Sequence, residues 1–280
     1  MEHQFICFGE ILWDVLPTGK VLGGAPLNVA YHLNQLGIPA KMVSQVGDDA
    51  DGQEIQQALH ELSLSDDYLF VHPGLPTSQV TVQIDTKGIA QYTIHEPVAW
   101  DAIDPTQLPD IQPTWLIYGS LAARQKVTRE ALLALKERSQ FTVFDINIRP
   151  PFFSMVWGER LMTDVTLCKL NEDELAYLAS LYQIQGEPVD QVTELAQRFH
   201  WKMAIVTCGG EGAYVWTPTE WLFGPAIEVS VADTVGSGDA FLAGFLSEYI
   251  KGNSLESALA KGLYAGSYIA QKKGAIHAFE

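Results

Sequence analysis

The chain has 280 residues, of which 47% are hydrophobic and 18% are charged, and its formal net charge at pH 7 is −17. This length and apolar content exclude a disordered chain and favour one large α/β domain over two full domains. The excess of negative charge argues against nucleic acid and anionic membrane surfaces as partners, but not against ATP, which one local site can bind.

The three cysteines, Cys7, Cys168 and Cys208, are far apart in the sequence, and each lies in an apolar, strand-like run. This placement indicates reduced core thiols in a cytoplasmic protein, and neither a disulfide framework nor a metal site. Every apolar run is shorter than the ~18 residues that a membrane span requires, so we expect no membrane partner.

The first predicted element is a buried strand over residues 5–9, and Asp14 follows it. Because open α/β sheets place ligand groups beyond their strand ends, Asp14 is either a ligand-binding group or a turn carboxylate. Gly23 and Gly24 then precede a helix that has a proline near its first turn and ends at about residue 36. Such glycines let the backbone approach a ligand closely, and Asn28 lies one turn into the helix.

Residues 68–100 interrupt the alternation of strands and helices. Two alternating apolar runs, 79–84 and 89–94, flank a turn over 85–88, and this pattern predicts a hairpin. An antiparallel patch inserted in a βαβ chain is either a lid that excludes water from a ligand site or a hairpin that covers one edge of the sheet.

Residues 115–145 are predicted to form a strand, a helix and a second strand, which indicates a parallel sheet with right-handed crossovers. This topology places Asp145, Asn147 and Arg149 at the same edge of the sheet as the N-terminal ligand groups. Arg149 could neutralise a transferred phosphoryl group or pair with a nearby acid.

Two further segments carry polar or glycine-rich turns. A strand over 166–170 precedes a helix whose first turn contains Asn171 and Glu174, a common capped arrangement. Residues 203–216 are predicted to form a strand, a glycine-rich turn and a returning strand. The glycine spacing and the returning strand exclude a dinucleotide fingerprint, and the chain contains no P-loop motif.

A glycine-rich turn at residues 233–241 leads into an amphipathic helix, and its sequence is Asp-Thr-Val-Gly-Ser-Gly-Asp-Ala-Phe. Glycines and the unpaired N–H groups of a helix start favour a bound phosphate. A carboxylate is unsuited to binding phosphate, so Asp239 is either a base that accepts a proton from an attacking hydroxyl or an N-cap residue.

The 233–241 segment resembles the Asp-Thr-x-Gly-Ala-Gly-Asp motif of the ribokinase-like (PfkB) sugar kinases, with Ser237 in place of the commoner alanine. The resemblance implies an α/β fold, a doubly wound, mostly parallel sheet flanked by helices, with a small β lid. It also implies an anion hole made by Gly236, Ser237 and Gly238, and Asp239 as the catalytic base.

Residues 9–14 and 23–30 resemble the N-terminal pair of motifs in bacterial fructokinases of the same family. This likeness implies that the sugar is bound by four residues: Asp14, Gly23, Gly24 and Asn28. Residues 145–149 resemble the Asp-x-Asn-x-Arg segment of the family, with Ile148 where proline is usual, and imply a catalytic role for Arg149.

The family resemblance also implies a nucleotide side. Its Asn-x-x-Glu motif corresponds to Asn171 and Glu174, which would serve phosphate and Mg²⁺ through water. The turn along the phosphates and ribose of ATP would contain Thr207, Gly209, Gly210 and Gly212. A K⁺ site would be formed by carbonyl groups near Asp233, Val235 and Gly274.

Together these features predict one ribokinase-like domain over residues 1–280, with lid segments at about 12–24 and 72–100 and a homodimer formed through the lid. We expect transfer of the γ-phosphoryl group of MgATP to a primary hydroxyl of a small sugar, with fructose first. The alternatives are a 2-keto-3-deoxygluconate kinase, a ribokinase, a nucleoside kinase, or a sugar sensor that no longer turns over.

Overall fold

The computed structural model describes residues 4–16, 19–84 and 90–279. In these ranges, nine strands form one sheet and four strands form a second, separate sheet. In spatial order, the strands of the large sheet are β13 (Glu220–Pro225), β12 (Gly212–Thr217), β11 (Met203–Thr207), β10 (Leu167–Asn171), β9 (Phe141–Asp145), β8 (Trp115–Gly119), β1 (Phe5–Phe8), β4 (Ala40–Gly47) and β5 (Leu69–His72).

The large sheet is parallel from β11 to β5, and only β12 and β13 run antiparallel to their neighbours. The predicted mostly parallel sheet is therefore confirmed. The carboxyl ends of its parallel strands lie at one edge, where α/β folds of this kind bind ligands.

Helices cover both faces of the large sheet. They are α1 (Ala25–Gln35), α2 (Ala50–Glu61), α3 (Lys126–Arg138), α4 (Met155–Met162), α5 (Glu172–Tyr182), α6 (Pro188–Phe199), α7 (Ser237–Tyr249) and α8 (Leu255–Ala270). Strand β1 shows the double burial that this requires, since Ile6 and Phe8 belong to one hydrophobic cluster and Phe5 and Cys7 to another. Helices α3 to α6 pack on the first cluster, and α1, α2, α7 and α8 pack on the second.

The small sheet is the predicted lid, and two separated parts of the chain form it. Its strands, in spatial order, are β3 (Gly19–Gly23), β2 (Leu12–Leu16), β6 (Ser78–Ile84) and β7 (Ala90–Ile94). Strands β6 and β7 are antiparallel, as the hairpin pattern predicts, and β2 joins the two parts by pairing in parallel with β6. The predicted turn at 85–88 lies outside the described residues.

Residues 69–72 leave the hairpin region and extend the large sheet, because β5 pairs in parallel with β4. All three cysteines are buried and free of disulfides, as their apolar surroundings predict. None of the helices in the described ranges combines the length and the apolar character that crossing a membrane demands.

Candidate active site

The glycine-rich turn before α7 has the geometry of an anion site. Gly236 is the N-cap residue, with φ of 76°, and a Cβ atom at this position would lie 2.3 Å from the Cβ of Ala275. Both the backbone conformation and the close contact therefore require glycine. Ser237, Gly238 and Asp239 occupy the first three helical positions, where a helix supplies no partner for the backbone N–H groups. Of these groups, the Ser237 N–H donates to the carbonyl oxygen of Thr234 within the turn, at 3.2 Å.

Asp239 is buried at this helix start, with only 9% of its surface exposed. Asn28, 211 residues away in α1, donates a hydrogen bond from Nδ2 to Oδ2 of Asp239 at 2.8 Å. Burial raises the pKa of Asp239 to about 6, and the nearby Asp145 carboxylate adds to this, whereas Asn28, Lys169 and Arg149 oppose it. A carboxyl group with this pKa is ionised at neutral pH and is a better proton acceptor than an ordinary aspartate.

Gly23 and Gly24 allow the backbone at the end of β3 to lie close to two polar groups, the Asp14 carboxylate and the Glu10 carbonyl. A Cβ atom on Gly23 would lie 2.5 Å from Oδ2 of Asp14, which lies on the neighbouring strand β2 two residues beyond Leu12, the register partner of Gly23. Gly24 has φ of 120°, and a Cβ atom there would lie 2.4 Å from the backbone oxygen of Glu10. Burial raises the pKa of Asp14 to about 6. The structure thus places Asp14 and Gly23 together and sets Gly24 at the N-cap of the helix that carries Asn28.

A buried ion pair joins Asp145, the last residue of β9, to Lys169, the middle residue of β10. The two residues are register partners, and Nζ of Lys169 lies 2.7 Å from Oδ2 of Asp145. Burial lowers the pKa of Lys169, but the Asp145 carboxylate outweighs it and the net shift is upward, so the ammonium group stays charged. A Cβ atom on Gly238 would lie 3.4 Å from the same Nζ, which therefore lies against the glycine-rich turn.

Lys169 was not among the residues that the sequence predicts for the site. A lysine inside the buried run of β10 is the signal that points to it, because lysine is almost never fully buried unless it is paired.

Glu10, which directly follows the N-terminal strand and its glycine, is a second residue that sequence reasoning missed. It is buried, and within the described residues its Oε2 atom has no hydrogen-bond partner. Burial raises the pKa of Glu10 to about 7, while the Arg149 guanidinium lowers it and the Asp239 carboxylate raises it. Glu10 therefore belongs electrostatically to the same site as Asp239.

Asn171 and Glu174 form a reciprocal capping box at the start of α5. Oδ1 of Asn171 accepts the Glu174 N–H at 2.8 Å, and Oε2 of Glu174 accepts the Asn171 N–H at 2.9 Å. Oε1 of Glu174 also accepts the Ile148 N–H at 2.7 Å. Burial raises the pKa of Glu174. One buried carboxyl group thus fixes both the helix start and the segment that leads to the exposed Arg149.

The predicted nucleotide turn follows β11, where Thr207 is the register partner of Asn171 on β10. A Cβ atom on Gly209 or Gly210 would meet no atom within 4 Å, so this part of the turn is open. Gly212 differs, because it has φ of 131° and a Cβ atom there would lie 2.1 Å from the backbone oxygen of Gly224 on β13.

An apolar cavity of about 280 Å³ lies between β13 and α8. The residues that line it include Phe223, Gly224, Pro225, Ile227 and Leu263. The cavity is adjacent to the nucleotide turn, since Gly212 packs against Gly224. Its apolar walls suit a flat heterocyclic ring.

The predicted cation loop is closed by one carboxylate. Oδ1 of Asp233 accepts the Val235 N–H at 3.1 Å, and Oδ2 accepts the Gly274 N–H at 3.0 Å. The three predicted residues are therefore brought together. Among the described residues, no group of three or more histidine, cysteine, aspartate or glutamate side chains is arranged to hold a metal ion.

A family model that describes the pfkB family carbohydrate kinases matches residues 3–280. The chain belongs to this family. PfkB kinases transfer phosphate from ATP to sugars, and the chain is an ATP-dependent sugar kinase in this sense.

Similarity to individual PfkB proteins extends over most of the chain. A fructokinase of Klebsiella pneumoniae is 30% identical over 263 residues, which are 88% of this chain and 84% of that protein. An aminoimidazole riboside kinase of Salmonella typhimurium is 27% identical over 278 residues, 90% of this chain and 82% of that protein. One similar solved structure is the crystal structure of a Vibrio cholerae fructokinase double mutant with fructose, ADP and potassium ion bound. It superposes on this chain with a TM-score of 0.87 at 24% sequence identity, and the match covers 99% of this chain and 95% of that chain.

In this PfkB chain the predicted site residues fall into two groups along the sheet edge. Direct contacts connect the sugar motif with the glycine-rich turn, through Asn28 and Asp239. The second group lies along the carboxyl ends of β10 and β11, where Asn171 and Thr207 are register partners. Arg149 is connected to both groups, since its guanidinium charge acts on Asp239 and Glu174 accepts the N–H of the preceding residue, Ile148.

Proposed function

We propose that this chain is a fructokinase, which transfers the γ-phosphoryl group of ATP to a primary hydroxyl of fructose. The observation that carries the proposal is the hydrogen bond from Asn28 to Asp239. It joins the sugar-binding motif of the N-terminal region to a buried carboxyl group at the start of an anion-binding helix. A hydroxyl bound near Asn28 would therefore lie next to a proton acceptor.

On the sugar side, Asp239 takes the proton of the attacking hydroxyl as the bond from its oxygen to the γ-phosphorus forms and the bond from that phosphorus to ADP, the leaving group, breaks. The backbone N–H groups of Gly236, Ser237 and Gly238 stabilise the negative charge on the transferred group, because they lie at a helix start, where N–H groups lack helical partners. The Ser237 N–H also donates to the Thr234 carbonyl oxygen at 3.2 Å. Asp14 and Asn28 orient the sugar by hydrogen bonds to its hydroxyls. Gly23 and Gly24 let the backbone approach the sugar closely.

On the nucleotide side, this chain would hold ATP together with Mg²⁺, which when bound would supply positive charge to neutralise the phosphates. Glu174 serves Mg²⁺ through water, Asn171 serves the phosphates, and Arg149 neutralises charge on the transferred phosphoryl group. The turn that lies along the phosphates and ribose contains Thr207, Gly209, Gly210 and Gly212. The cavity lined by Phe223 and Leu263 takes the adenine ring, and the loop closed by Asp233 binds K⁺ through carbonyls near Val235 and Gly274.

The charges near the sugar motif favour a neutral sugar over 2-keto-3-deoxygluconate, which has a carboxylate. Lys20 is the lysine nearest to the two glycines in sequence, and it pairs with Asp51 and Glu54. The two carboxylates neutralise its charge, so this part of the protein offers no net positive charge to a substrate carboxylate. This observation supports fructose, in agreement with the relative at 30% identity.

A phosphorylated riboside is the second candidate product, because an aminoimidazole riboside kinase is among the relatives. Fructose and the riboside both present a primary hydroxyl, so the same base would serve both. The two substrates differ in that the riboside also carries a planar heterocycle, which the lid would have to cover.

A screen of sugar-dependent ADP release tests the proposal. Purified protein with MgATP and K⁺ is assayed against fructose, ribose, 2-keto-3-deoxygluconate and aminoimidazole riboside. We expect the highest kcat/KM with fructose, by a factor of about 10 or more over each of the others, as specific polar contacts allow. The highest kcat/KM with the riboside would overturn fructose as the substrate. Calorimetric binding of a sugar without any ADP release would instead indicate a sugar sensor.

A further inference from the structure

The ion pair between Asp145 and Lys169 is almost completely buried. The exposed fractions of the two residues are 6% and 7%. Replacing a buried ion pair by apolar residues is often neutral or stabilising, so such a pair is weak evidence for a role in stability. Lys169 lies beside Gly238, the residue that precedes Asp239. This position indicates that the pair has a role at the site of Asp239.

Among the described residues, five charged or titratable groups interact electrostatically with Asp239. They are Cys7 on β1, Glu10 after β1, Asp145 at the end of β9, Arg149 after β9 and Lys169 on β10. Cys7 stays a neutral thiol, because burial raises its pKa far above the usual range. Of the charged groups, Arg149 is exposed to solvent, and Glu10 is buried next to Ala25, the first residue of α1.

Asp145 and Lys169 act on Asp239 in opposite directions. The carboxylate of Asp145 disfavours a second negative charge nearby, and the ammonium group of Lys169 favours it. Because both groups are buried, solvent screens these interactions only weakly. The pair as a whole is neutral, so it leaves no unpaired charge in the core. Each of its two charges still acts on Asp239.

We propose that Asp145 and Lys169 are positioning residues that set how readily Asp239 exchanges its proton with the sugar hydroxyl. Lys169 supports the ionised base, and Asp145 keeps that base from becoming too weak an acceptor. This inference rests on the proposed role of Asp239 as the base. It adds two residues that act on the reaction through Asp239 and do not contact the sugar.

The pH dependence of kcat/KM separates this role from a structural one. The variants are Lys169→Met, Asp145→Asn and the double variant, each assayed from pH 5 to pH 9 with the best sugar and saturating MgATP. The base must be ionised to act, so kcat/KM falls on the acid side. We expect Lys169→Met to move this acid limb up by about one pH unit and Asp145→Asn to move it down by a similar amount. The double variant should return it close to that of the unchanged protein.

Two controls accompany these profiles. Lys169→Arg keeps the positive charge and should leave the acid limb in place. The Arg124–Asp101 pair, with a 2.8 Å contact, is the matched control, because it is also a buried ion pair. We expect Asp101→Asn to lower the melting temperature without moving the acid limb, whereas a purely structural role for Asp145 and Lys169 would make their variants behave like Asp101→Asn.

The outcomes are distinguishable. Opposite shifts in the two single variants support the proposal, and shifts in one direction, or none in variants that melt cooperatively, overturn it. Should Lys169→Met not fold, a shifted acid limb in Lys169→Arg together with no shift in Asp145→Asn overturns it as well. The Asp239→Asn variant is assayed in parallel, because near-normal turnover there contradicts the base itself and not only the pair.

Discussion

Asp239 is a carboxyl group that the fold buries at a helix start and that the proposed reaction uses in its ionised form. Its pKa of about 6 in the folded chain is above the ordinary value for aspartate. The folded state therefore holds this proton more tightly than the unfolded state does. Ionisation of Asp239 therefore lowers the free energy of unfolding. The full loss applies above about pH 6, and the loss shrinks as the pH falls towards 4.

We expect Asp239→Asn to be more stable than the unchanged protein at pH 8, by on the order of 2 kcal/mol, because the amide removes the buried charge. The gain should shrink as the pH falls from about 6 to about 4, where the carboxyl group of the folded protein is itself protonated. Chemical denaturation at several pH values measures both quantities. An unchanged or lower stability at pH 8 would contradict the account.

Asp104→Asn is the matched control for this prediction. Asp104 is half-buried at the protein surface, and hydrogen bonds from Thr106 lower its pKa, so the linkage has the opposite sign. This variant should lose stability at pH 8 and not gain it.

At the scale of a secondary-structure element, the start of α5 combines a helix cap with a proposed contact to Mg²⁺. The reciprocal hydrogen bonds of Asn171 and Glu174 satisfy two backbone N–H groups that the helix leaves unpaired. Glu174 also holds the Ile148 N–H. A change at Asn171 should therefore act on stability through the cap and on the reaction through the Mg²⁺ site.

Asn171→Ala should lower the free energy of unfolding by about 1 kcal/mol, as loss of an N-cap does. Because Asn171 and Glu174 orient one another at the proposed site for Mg²⁺ and phosphate, the variant should also need a higher Mg²⁺ concentration for half-maximal rate. Ser254→Ala is the control, since Ser254 caps α8 by accepting the Ser257 N–H. This control should lose comparable stability with unchanged Mg²⁺ dependence. Unchanged Mg²⁺ dependence in both variants would leave Asn171 a cap and nothing more.

At the scale of the whole molecule, the lid is an open four-stranded sheet with β3 and β7 at its edges in the described chain. Exposed edge strands are templates for pairing with another chain. We therefore expect two chains to associate through their lids. Sedimentation equilibrium should give twice the chain mass of 30.9 kDa, and a single species of 30.9 kDa at micromolar concentration would contradict the dimer.

Much of this architecture could be predicted from the sequence, because its signals are local. Buried apolar runs, glycine-rich turns and the alternating runs of the hairpin each specify an element within about ten residues. The ion pair of Asp145 and Lys169 could not be predicted in this way. The two residues are 24 positions apart, and only the register of β9 and β10 brings them together.

The contact between Asn28 and Asp239 spans 211 residues, so no local pattern indicates it, although the family resemblance assigns both residues to one site. Glu10 was missed for a different reason. Its burial depends on the packing of α1 against the end of β1, whereas its sequence position resembles that of an ordinary residue after a strand. The apolar cavity around Leu263 likewise exists only where β13 meets α8.

The most direct test of the central claim is the turnover of Asp239→Asn with MgATP and the best sugar, measured beside calorimetric sugar binding. The amide keeps the size of the side chain and can still accept the hydrogen bond from Asn28, but it cannot take a proton at neutral pH. We predict that kcat falls by a factor on the order of 10² or more while the sugar is still bound. Turnover close to that of the unchanged protein would contradict the assignment of Asp239 as the base.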